Sequence, residues 1–492
     1  MMNWIPKVKV TKVNVSKTIA DATALLEQEK EISPALKAMF QLLLTLITLL
    51  AERLSLNSNN SSILPSKDPN RKKKNKGKGG NKRHPGGQPG RNGTTLEPVD
   101  DPDEIIPIKL DKRTLPRGEY HEVGFEARQI IELEISRIVT EYRAQILENA
   151  TGKRFVAPFP AGVTRPIQYG QSIKSHSVYL SQYQLLPYER VSDYFNSESG
   201  IPISVGSLFN FNQEAFDKLE FFETFVKDKL IASLMIHADE TSINVNGKRI
   251  WLHCAVNERW SYFYPHEKRG SEAMDFIGIL SRFTGTLAHD HWKPYYTYTD
   301  CDHSLCNGHH IRELTWVIDN HPKYTWAKSM QDLLCEINDA VDKTEENCLD
   351  ELQAQEYRQR YREIITIGEE QMPLPPASPD KPKKRGREKK SKERNLLERL
   401  RDFEDDTLRF MVVSYVLFTN NNGENAIRMT KVQQKISGCF RSMDGAKIFC
   451  RIRGYLLTAQ KHDISPTEAL QTLFHGKLPV AFFKDNENDL AR

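Results

Sequence analysis

The feature that most constrains the fold is a pair of short apolar runs joined by a two-residue turn. Residues 234–236 and 250–256 flank Asn246-Gly247, and Asn-Gly between apolar runs is a strong signal for a β-hairpin. Asp239 follows the first run, so the sequence predicts a carboxylate at the end of a buried strand. A charge in that position is costly unless a metal ion, a nearby Arg or Lys, or a turn hydrogen bond compensates it.

The residues after the hairpin predict a mixed α/β sheet. Residues 260–264 have the pattern of a third strand, 271–283 that of a helix, and 285–290 that of a fourth strand ending in Asp290. Three strands, a helix and a returning strand are the opening of a ribonuclease-H-like sheet, in which carboxylates of the first and fourth strands lie side by side. The sequence therefore predicts an α/β fold that brings Asp239 and Asp290 together.

A long helical segment predicts an insertion in this core. Residues 311–408 are largely helical in pattern and highly charged, whereas residues 420–435 predict a later helix with Glu424 in its first turn. The predicted organisation is a catalytic core in two segments, a helical insertion and a C-terminal tail: residues 231–310 with 409–460, residues 311–408, and residues 461–492.

Residues 1–60 predict an N-terminal helix with one apolar stripe. Apolar side chains recur there at spacings of three and four residues: Leu36, Met39, Phe40, Leu43, Leu46, Ile47 and Leu50. Such a stripe has to be covered by other apolar surface. The helix either packs on its own domain or forms a coiled coil that pairs protomers.

The positive charge of the chain is concentrated in two segments. The net charge is only +4, but basic residues are dense at 67–91 and again at 381–394. Residues 61–104 are rich in Gly, Pro, Asn and Lys and almost without apolar side chains, which predicts a disordered basic arm. The arm is either a solvated linker or, as so many charges favour, a segment that contacts DNA phosphates. Its candidate DNA-binding residues are Arg71, Lys72, Lys73, Lys74, Arg83 and Arg91.

Two further modules are predicted between the arm and the core. Residues 105–165 contain short alternating runs, for example 129–143, which predict a small β-rich module. Residues 166–230 have helical spacing, and a glycine-containing turn separates one helix from a second helix that Ser204 caps. This pair is either a DNA-binding helix-turn-helix or an ordinary helical pair.

The cysteine pattern and the N-terminus indicate a cytoplasmic protein. The chain has seven cysteines, an odd number, all at or after Cys254, which favours free thiols in a reducing compartment. The first residues lack the basic-then-apolar pattern of a secretory signal. The apolar run 40–51 is too short to span a bilayer, so no membrane contact is expected.

Three carboxylates are the candidate catalytic residues and metal ligands: Asp239, Asp290 and Glu424. Converging, they make an all-oxygen site suited to two Mg²⁺ or Mn²⁺ ions, which is the geometry that phosphoryl transfer needs. The predicted helix that begins near Glu424 carries three basic residues on one face, four, seven and eleven positions after this acid: Arg428, Lys431 and Lys435. Such a basic row is suited to a phosphate backbone. Taken singly, each acid is better explained as a cap or a surface charge, so the hypothesis depends on the three together.

Several stretches in order resemble the bacterial transposases of the insertion sequence 66 family. They are the leucine-rich N-terminal helix, the Asn57-Ser-Asn-Asn-Ser-Ser run, the arm from Pro85 to Leu96, His237-Ala-Asp-Glu-Thr, the Asp290 segment, and residues 305–314 and 421–428. The resemblance implies a DDE enzyme with a ribonuclease-H-like core and with the three acids as its catalytic triad. It implies metal-dependent cleavage at transposon ends and strand transfer into target DNA. The implied partners are double-stranded DNA, further copies of the chain in a homo-oligomer, and helper proteins of the same element.

The resemblance also bears on zinc, which is not expected as a cofactor. Family members commonly carry paired cysteines in the region that corresponds to about residues 122–163, where this chain has none. Cys306-x-x-His309 resembles an element that follows the second acid in many DDE enzymes, and these two residues with Arg312 are candidates for supporting the site. The wider cluster from Cys301 to His310 has plausible zinc spacing, but buried thiols and packed histidines explain it better.

An active transposase of this kind is expected in the bacterial cytoplasm, associated with the nucleoid. Two alternatives stay open on the sequence. One is a catalytically inactive DNA-binding protein derived from a transposase, and the other is a nuclease that cleaves DNA without joining it.

Overall fold

The computed structural model describes residues 15–28, 32–54, 56–57, 59–61, 68, 70, 96–373 and 390–484. The chain divides into two units, one of residues 1–71, 160–194 and 202–492 and one of residues 72–159 and 195–201. The six basic residues of the arm that are predicted to bind DNA lie outside the described residues, as does most of the second basic segment.

The N-terminal residues form two helices, α1 (Val15–Gln28) and α2 (Pro34–Leu54), which pack against each other. The predicted apolar stripe lies on α2, and its members are between 41% and 59% exposed: Leu36, Met39, Phe40, Leu43, Leu46, Ile47 and Leu50. The described residues leave this stripe uncovered, although burying one such side chain fully contributes about 1.5–3 kcal/mol. A coiled coil between protomers stays a prediction.

In the smaller unit, the described residues contain one β-hairpin. Strands β1 (Ile146–Glu148) and β2 (Arg154–Val156) pair antiparallel, and their side chains are exposed. The alternating run 129–143 contains no strand, and its Ile130 and Leu133 are 88% and 86% exposed. An alternating pattern is stable as a sheet only with further strands and a covered face, so this hairpin is all of the expected β-rich module that the described residues contain.

Four helices precede the main sheet: α3 (Gln171–Val178), α4 (Tyr188–Ser199), α5 (Val205–Lys218) and α6 (Glu220–Ile231). Ser204 caps α5, because its Oγ accepts a hydrogen bond from the backbone N–H of Ser207 at 3.0 Å. Both helices of the predicted pair and the Ser204 cap are confirmed, whereas contact of the pair with DNA stays a prediction.

A five-stranded mixed sheet follows. Its strands are β3 (Met235–Val245), β4 (Lys248–Val256), β5 (Ser261–His266), β6 (Thr286–His289) and β7 (Asp302–Leu305), with helix α7 (Ser271–Ile277) between β5 and β6. The spatial order is β5-β4-β3-β6-β7; the first three strands are antiparallel, and β6 and β7 run parallel to β3. Asn246 and Gly247 have φ values of 47° and 80°, as a type I′ turn requires. The predicted hairpin, third strand, helix and returning strand are confirmed, whereas β7 has no counterpart among the predicted elements.

The first strand of the hairpin extends further than its apolar run. Asp239 is the fifth of the 11 residues of β3, so the prediction that it ends the strand was wrong. Pairing with β4 continues to Val245, whereas pairing with β6 reaches only as far as His237. The antiparallel neighbour thus prolongs the strand with polar residues, and Asp239 lies just beyond the point where the parallel pairing stops.

The described residues of the predicted insertion, with those that flank it, form α8 (Asn307–Asn320), α9 (Thr325–Val341), α10 (Glu351–Gln371), α11 (Lys392–Asp402) and α12 (Glu404–Val412). They have an apolar core of their own, which includes the fully buried Trp326, Tyr361 and Leu397. This core also includes Met235 of β3 and Ala288 of β6, so the insertion packs directly on the sheet.

Two helices cover a face of the antiparallel strands. Helices α13 (Asn421–Ser437) and α14 (Met443–Lys461) contribute Ile427 and Phe449 to a cluster with Leu252 of β4 and Phe263 of β5. The last helix, α15 (Pro466–Phe474), is capped by Ser465 and buries its apolar side chains. The predicted C-terminal tail, residues 461–492, thus contains this helix, and its boundary stays a prediction.

Two sequence expectations can be compared with the whole set of described residues. All seven cysteines lie among them, and each is a free thiol, as predicted. In the same residues, every helix is too short or too polar to cross a membrane.

Gly285 begins the turn into β6 and lies against the backbone that leads into β3. A Cβ at this position would lie 2.8 Å from the Ser233 carbonyl oxygen and from the Phe283 ring, and would meet the Leu234 carbonyl oxygen as well. We expect Gly285→Ala to lower the free energy of unfolding by about 1–3 kcal/mol, because backbone atoms cannot move aside as a flexible side chain can. Thermal unfolding measures the effect, with Gly270→Ala as control, since a Cβ there meets no atom within 4 Å. Equal destabilisation by both variants would contradict this explanation.

Candidate active site

The parallel pairing of β3 with β6 places Asp239 and Asp290 at the same level of the sheet. The register pairs Met235 with Thr286 and His237 with Ala288, a constant offset that equals the sequence separation of the two aspartates. Continued by two residues, this register sets Asp239 opposite Asp290, which directly follows β6. Both carboxylates are partly exposed, as a site that receives a substrate requires.

Glu424 reaches these strands because Asn420 fastens the start of α13 to β3. Asn420 Nδ2 donates a hydrogen bond to the Ala238 carbonyl at 2.9 Å, and its Oδ1 lies 2.8 Å from His237 Nδ1. Both contacts are made to residues just before Asp239. The first turn of α13, which carries Glu424, is therefore held beside the middle of β3. Sequence reasoning missed this role, although an Asn immediately before a helix is an ordinary N-cap signal.

Three side chains from the start of α8 surround the Glu424 carboxylate. Its Oε1 lies 3.8 Å from Cys306 Sγ, 3.5 Å from His309 Nδ1 and 3.5 Å from Arg312 Nη2. Cys306 is the N-cap residue of α8, and the backbone N–H of Asn420 donates a hydrogen bond to its sulfur at 3.2 Å. The structure thus brings together Glu424 and the three residues expected to support it.

The negative charge at Asp239 is poorly compensated. Burial raises the pKa of Asp239 well above its ordinary value, and the charges of Glu240, Asp290 and Glu424 raise it further. The backbone N–H of Glu240, 2.8 Å from Asp239 Oδ1, opposes this rise. Like charges that act on one another in this way make a site that attracts cations.

Glu240, the next residue along β3, is compensated. Arg269 forms an ion pair with one of its oxygens at 2.5 Å, and the Tyr295 hydroxyl donates a hydrogen bond to the other at 2.5 Å. The Arg269 guanidinium also lies 4.1 Å from the centroid of the Trp292 ring, which helps to fix it. Successive side chains of a strand face opposite sides of the sheet, so Arg269 pairs with Glu240 and not with Asp239.

The histidines that precede the two aspartates are buried. Burial lowers the pKa of His237 to about 4 and that of His289 to about 3, so both rings are neutral near pH 7. His289 contacts His303 Nδ1 through Nε2 at 3.0 Å and faces the Asp290 carbonyl through Nδ1. These contacts suit side chains that shape the strand ends.

The predicted basic row on α13 is divided. Arg428 and Lys435 are exposed, whereas Lys431 is partly buried and donates a hydrogen bond from its ammonium to the Ser242 carbonyl of β3. Lys431 therefore holds α13 against β3, and the surface members of the row are Arg428 and Lys435.

The Cys/His cluster of the sequence does not form one site. Its members contact separate partners: Cys306 and His309 lie beside Glu424, Cys301 and His303 contact the Tyr298 carbonyl, and His310 contacts Asn307 Oδ1. Only the first pair lies beside one of the three acids.

Two family models match the chain. The model described as Transposase IS66 family matches residues 166–448, more than half of the chain, and this match includes Asp239, Asp290 and Glu424. A model described as a family of unknown function (DUF6444) matches residues 11–97. No curated protein matches the chain.

The pKa of Asp239 predicts an effect on stability. We expect Asp239→Asn to stabilise the metal-free protein at neutral pH by about 0.5–2 kcal/mol, because it removes a carboxylate whose ionisation the folded state disfavours. Since the folded pKa is raised, wild-type stability falls as the pH increases from the ordinary Asp value of about 3.9 through the folded value. The stability gain of Asp239→Asn is therefore present above this pH range and disappears below it.

Thermal unfolding in EDTA at neutral and at acidic pH measures this gain. The matched control is Asp300→Asn, which removes an exposed carboxylate and should leave the melting temperature nearly unchanged. A melting temperature of Asp239→Asn below that of the wild type at neutral pH would refute the electrostatic interpretation.

Proposed function

Because the chain belongs to the IS66 transposase family, we propose that it is an active DDE-type transposase, which cleaves DNA strands at transposon ends and transfers them into target DNA. The observation that carries this function is that the β3–β6 register sets Asp239 level with Asp290 and that the charges of Asp290 and of Glu424, on α13, both act on Asp239.

The sheet supports a ribonuclease-H-like catalytic core. Three antiparallel strands followed by two strands parallel to the first, in the order β5-β4-β3-β6-β7, are the arrangement expected of that fold. We assign residues 231–310 and 409–460 to this core. The insertion of α8 to α12 then separates the strands that carry the aspartates from the helix that carries Glu424.

The three carboxylates fit Mg²⁺ or Mn²⁺, since both ions prefer oxygen ligands. Among the described residues, Asp239 Oδ1 accepts a hydrogen bond from the Glu240 backbone N–H, and burial and the neighbouring acids raise its pKa, so a bound cation would supply the compensating charge. We assign Asp239, Asp290 and Glu424 as ligands of two ions. When bound, such a pair of ions activates the attacking oxygen and stabilises the leaving oxygen of a phosphodiester. The β3–β6 register and the Asn420 hydrogen bonds fix where the ligands stand.

Basic residues near the acids and in the arm supply the proposed contacts with double-stranded DNA. Arg428 and Lys435 are exposed on the helix that begins with Glu424, so a phosphate backbone lying along α13 would reach the acids. We assign non-specific phosphate contacts to them and to the basic residues of the arm, and end recognition to α4 and α5. Phosphate contacts position DNA, whereas base contacts specify it.

The uncovered stripe of α2 supports a homo-oligomer. Apolar side chains that stay between 41% and 59% exposed along one helix are a surface that a second copy of α2 would bury. A multimer is also what transposition needs, because one protein assembly has to hold both ends of the element.

Substitution of the acids tests catalysis directly. We expect Asp239→Asn, Asp290→Asn and Glu424→Gln each to lower DNA cleavage by about 10³-fold or more while leaving DNA affinity unchanged, because each removes a metal ligand without removing positive charge. Nicking of a supercoiled plasmid that bears the element's ends, with Mg²⁺, measures cleavage. Asp300→Asn is the matched control and should retain activity.

The outcomes separate the competing functions. Wild-type nicking without joined products would indicate a nuclease, and DNA binding without nicking would indicate an inactive protein derived from a transposase. Retained activity in one acid variant would show that this acid is misassigned.

The arm is tested through the salt dependence of DNA binding. We expect replacement of Arg71, Lys72, Lys73, Lys74, Arg83 and Arg91 by Gln to weaken binding and to flatten the slope of log affinity against log salt by about 0.9 for each phosphate that is no longer neutralised. Fluorescence anisotropy with duplex DNA measures both quantities. Exchanging Lys for Arg and Arg for Lys at the same positions keeps the charge and is the control. An unchanged slope in the Gln variant would make the arm a spacer.

A further inference from the structure

Three potential metal ligands of different chemistry converge where α8 and α13 begin. Cys306 Sγ, His309 Nδ1 and an oxygen of Glu424 all lie within 4.8 Å of one another. Among the described residues, this is the one group of three or more His, Cys, Asp and Glu side chains with ligand atoms that close together. It differs from the three acids in offering sulfur and imidazole nitrogen, and it shares Glu424 with them.

The distances are close to those of a tetrahedral zinc site. With ordinary Zn–S, Zn–N and Zn–O bond lengths, tetrahedral geometry places sulfur about 3.6 Å from oxygen and nitrogen about 3.4 Å from oxygen. The corresponding distances here are 3.8 Å from Cys306 Sγ and 3.5 Å from His309 Nδ1 to Glu424 Oε1. The third distance, from Cys306 Sγ to His309 Nδ1, is at most 4.8 Å.

The same atoms are incompletely satisfied without an ion. Among the described residues, His309 Nδ1 is shielded from solvent and has no hydrogen-bond partner. The same is true of Arg312 Nε, on the next turn of α8. Cys306 caps α8, and the Asn420 backbone N–H points at its sulfur from 3.2 Å. This N–H opposes the burial that raises the pKa of Cys306, so Cys306 is a thiol until an ion binds its sulfur.

We propose that Cys306, His309 and Glu424 form a binding site for a soft divalent cation, Zn²⁺ in the first place, with the fourth position open to solvent or substrate. On binding, the thiol proton of Cys306 leaves to solvent, the thiolate takes its place on the ion, and the Arg312 guanidinium withdraws from Glu424. Thiolate and imidazole select Zn²⁺ over Mg²⁺, so this site and the all-oxygen site prefer different ions. This set shares only Cys306 and His309 with the cluster from Cys301 to His310 that the sequence spacing indicated.

The shared ligand gives the site a consequence, which rests on the proposed function. A Glu424 oxygen that is bound to zinc with Cys306 and His309 is no longer available to Mg²⁺ or Mn²⁺ held with the two aspartates. Zinc therefore competes with the catalytic ions through Glu424, and a rise in free Zn²⁺ lowers cleavage until more Mg²⁺ is supplied. A three-ligand site with an open position is suited to such reversible binding.

Cobalt substitution tests the site in the full chain. Co²⁺ added to the metal-free protein should give the sulfur-to-cobalt charge-transfer absorption of a cysteine ligand, with the intense visible bands of tetrahedral coordination, and Zn²⁺ should abolish both. We expect Cys306→Ser to remove the charge-transfer absorption. Cys306→Ser and His309→Gln should each weaken Zn²⁺ affinity, measured by competition with a chromophoric chelator, by at least about tenfold.

Matched controls come from thiols and imidazoles elsewhere on the surface. Cys335→Ser and His475→Gln change an exposed cysteine and an exposed histidine and should leave the spectrum and the affinity unchanged. Thermal unfolding in EDTA shows whether each variant folds. If Cys306→Ser does not fold, the result for His309→Gln decides the test. A charge-transfer band and affinity that persist in both ligand variants would overturn the proposal.

The competition between Zn²⁺ and Mn²⁺ is measured by ion binding, without a cleavage assay. Free Mn²⁺, followed by electron paramagnetic resonance, should rise when Zn²⁺ is added to the Mn²⁺-loaded wild type, and should not rise in His309→Gln. Zinc bound through Cys306 and His309 without release of Mn²⁺ would overturn the competition. Absence of any Mn²⁺ binding would instead contradict the proposed two-metal function, and the cobalt spectrum would still decide the zinc site by itself.

Discussion

The side chain of Asn420 makes the contact on which the candidate site most depends. Two of the acids need only the β3–β6 register to stand level, but Glu424 comes from a helix 134 residues further along the chain than Asp290. The amide of Asn420 spans that gap by bonding to the Ala238 carbonyl and His237 at once. One hydrogen bond contributes about 0.5–1.5 kcal/mol net, yet a buried amide left unpaired costs about 1–3 kcal/mol. The arrangement is therefore specific as well as stabilising: with Asn420 fully buried, any shift of α13 along β3 leaves both partners unsatisfied.

The contrast between Asp239 and Glu240 shows where the fold tolerates uncompensated charge. On one side of β3, Glu240 receives an arginine and a tyrosine hydroxyl, so its charge is matched within the protein. On the other side, Asp239 Oδ1 accepts a hydrogen bond from the Glu240 backbone N–H, and the charges of Glu240, Asp290 and Glu424 act on it. Burial raises the pKa of both Asp239 and Glu240, so the two residues differ in their partners and not in the direction of the shift. A cationic side chain lies against Glu240, whereas like charges act on Asp239, which is the pattern expected of a carboxylate that binds a cation.

Sequence patterns predicted local elements well and lateral contacts poorly. Asn246-Gly247, the apolar runs beside it and the Ser204 cap each have a local physical cause, and each appears in the structure. The end of β3 was misplaced because only the continuous apolar run was counted, whereas the alternation of Ile243 and Val245 with polar residues up to the Asn246-Gly247 turn extends the strand. The contacts of Asn420 and Lys431 were not predicted, because they depend on which strand the helix crosses. Long-range partners of polar side chains are set by tertiary packing, and a single sequence carries little trace of them.

The insertion affects the site more than its position in the chain suggests. It begins at α8, whose first turn lies against the start of α13: the Asn307 backbone N–H donates to the Phe418 carbonyl, and Asn420 donates to Cys306. His309 and Arg312, the charged and ionisable neighbours of Glu424, are thus residues of α8 and not of the sheet. The core around Trp326 and Tyr361 continues to Met235 and Ala288, so α8 cannot shift independently of the strands that carry the aspartates. The start of α8 therefore shapes the electrostatic surroundings of the third acid, because His309 and Arg312 lie beside Glu424 in the first turn of α13 while Asn420 joins that turn to β3.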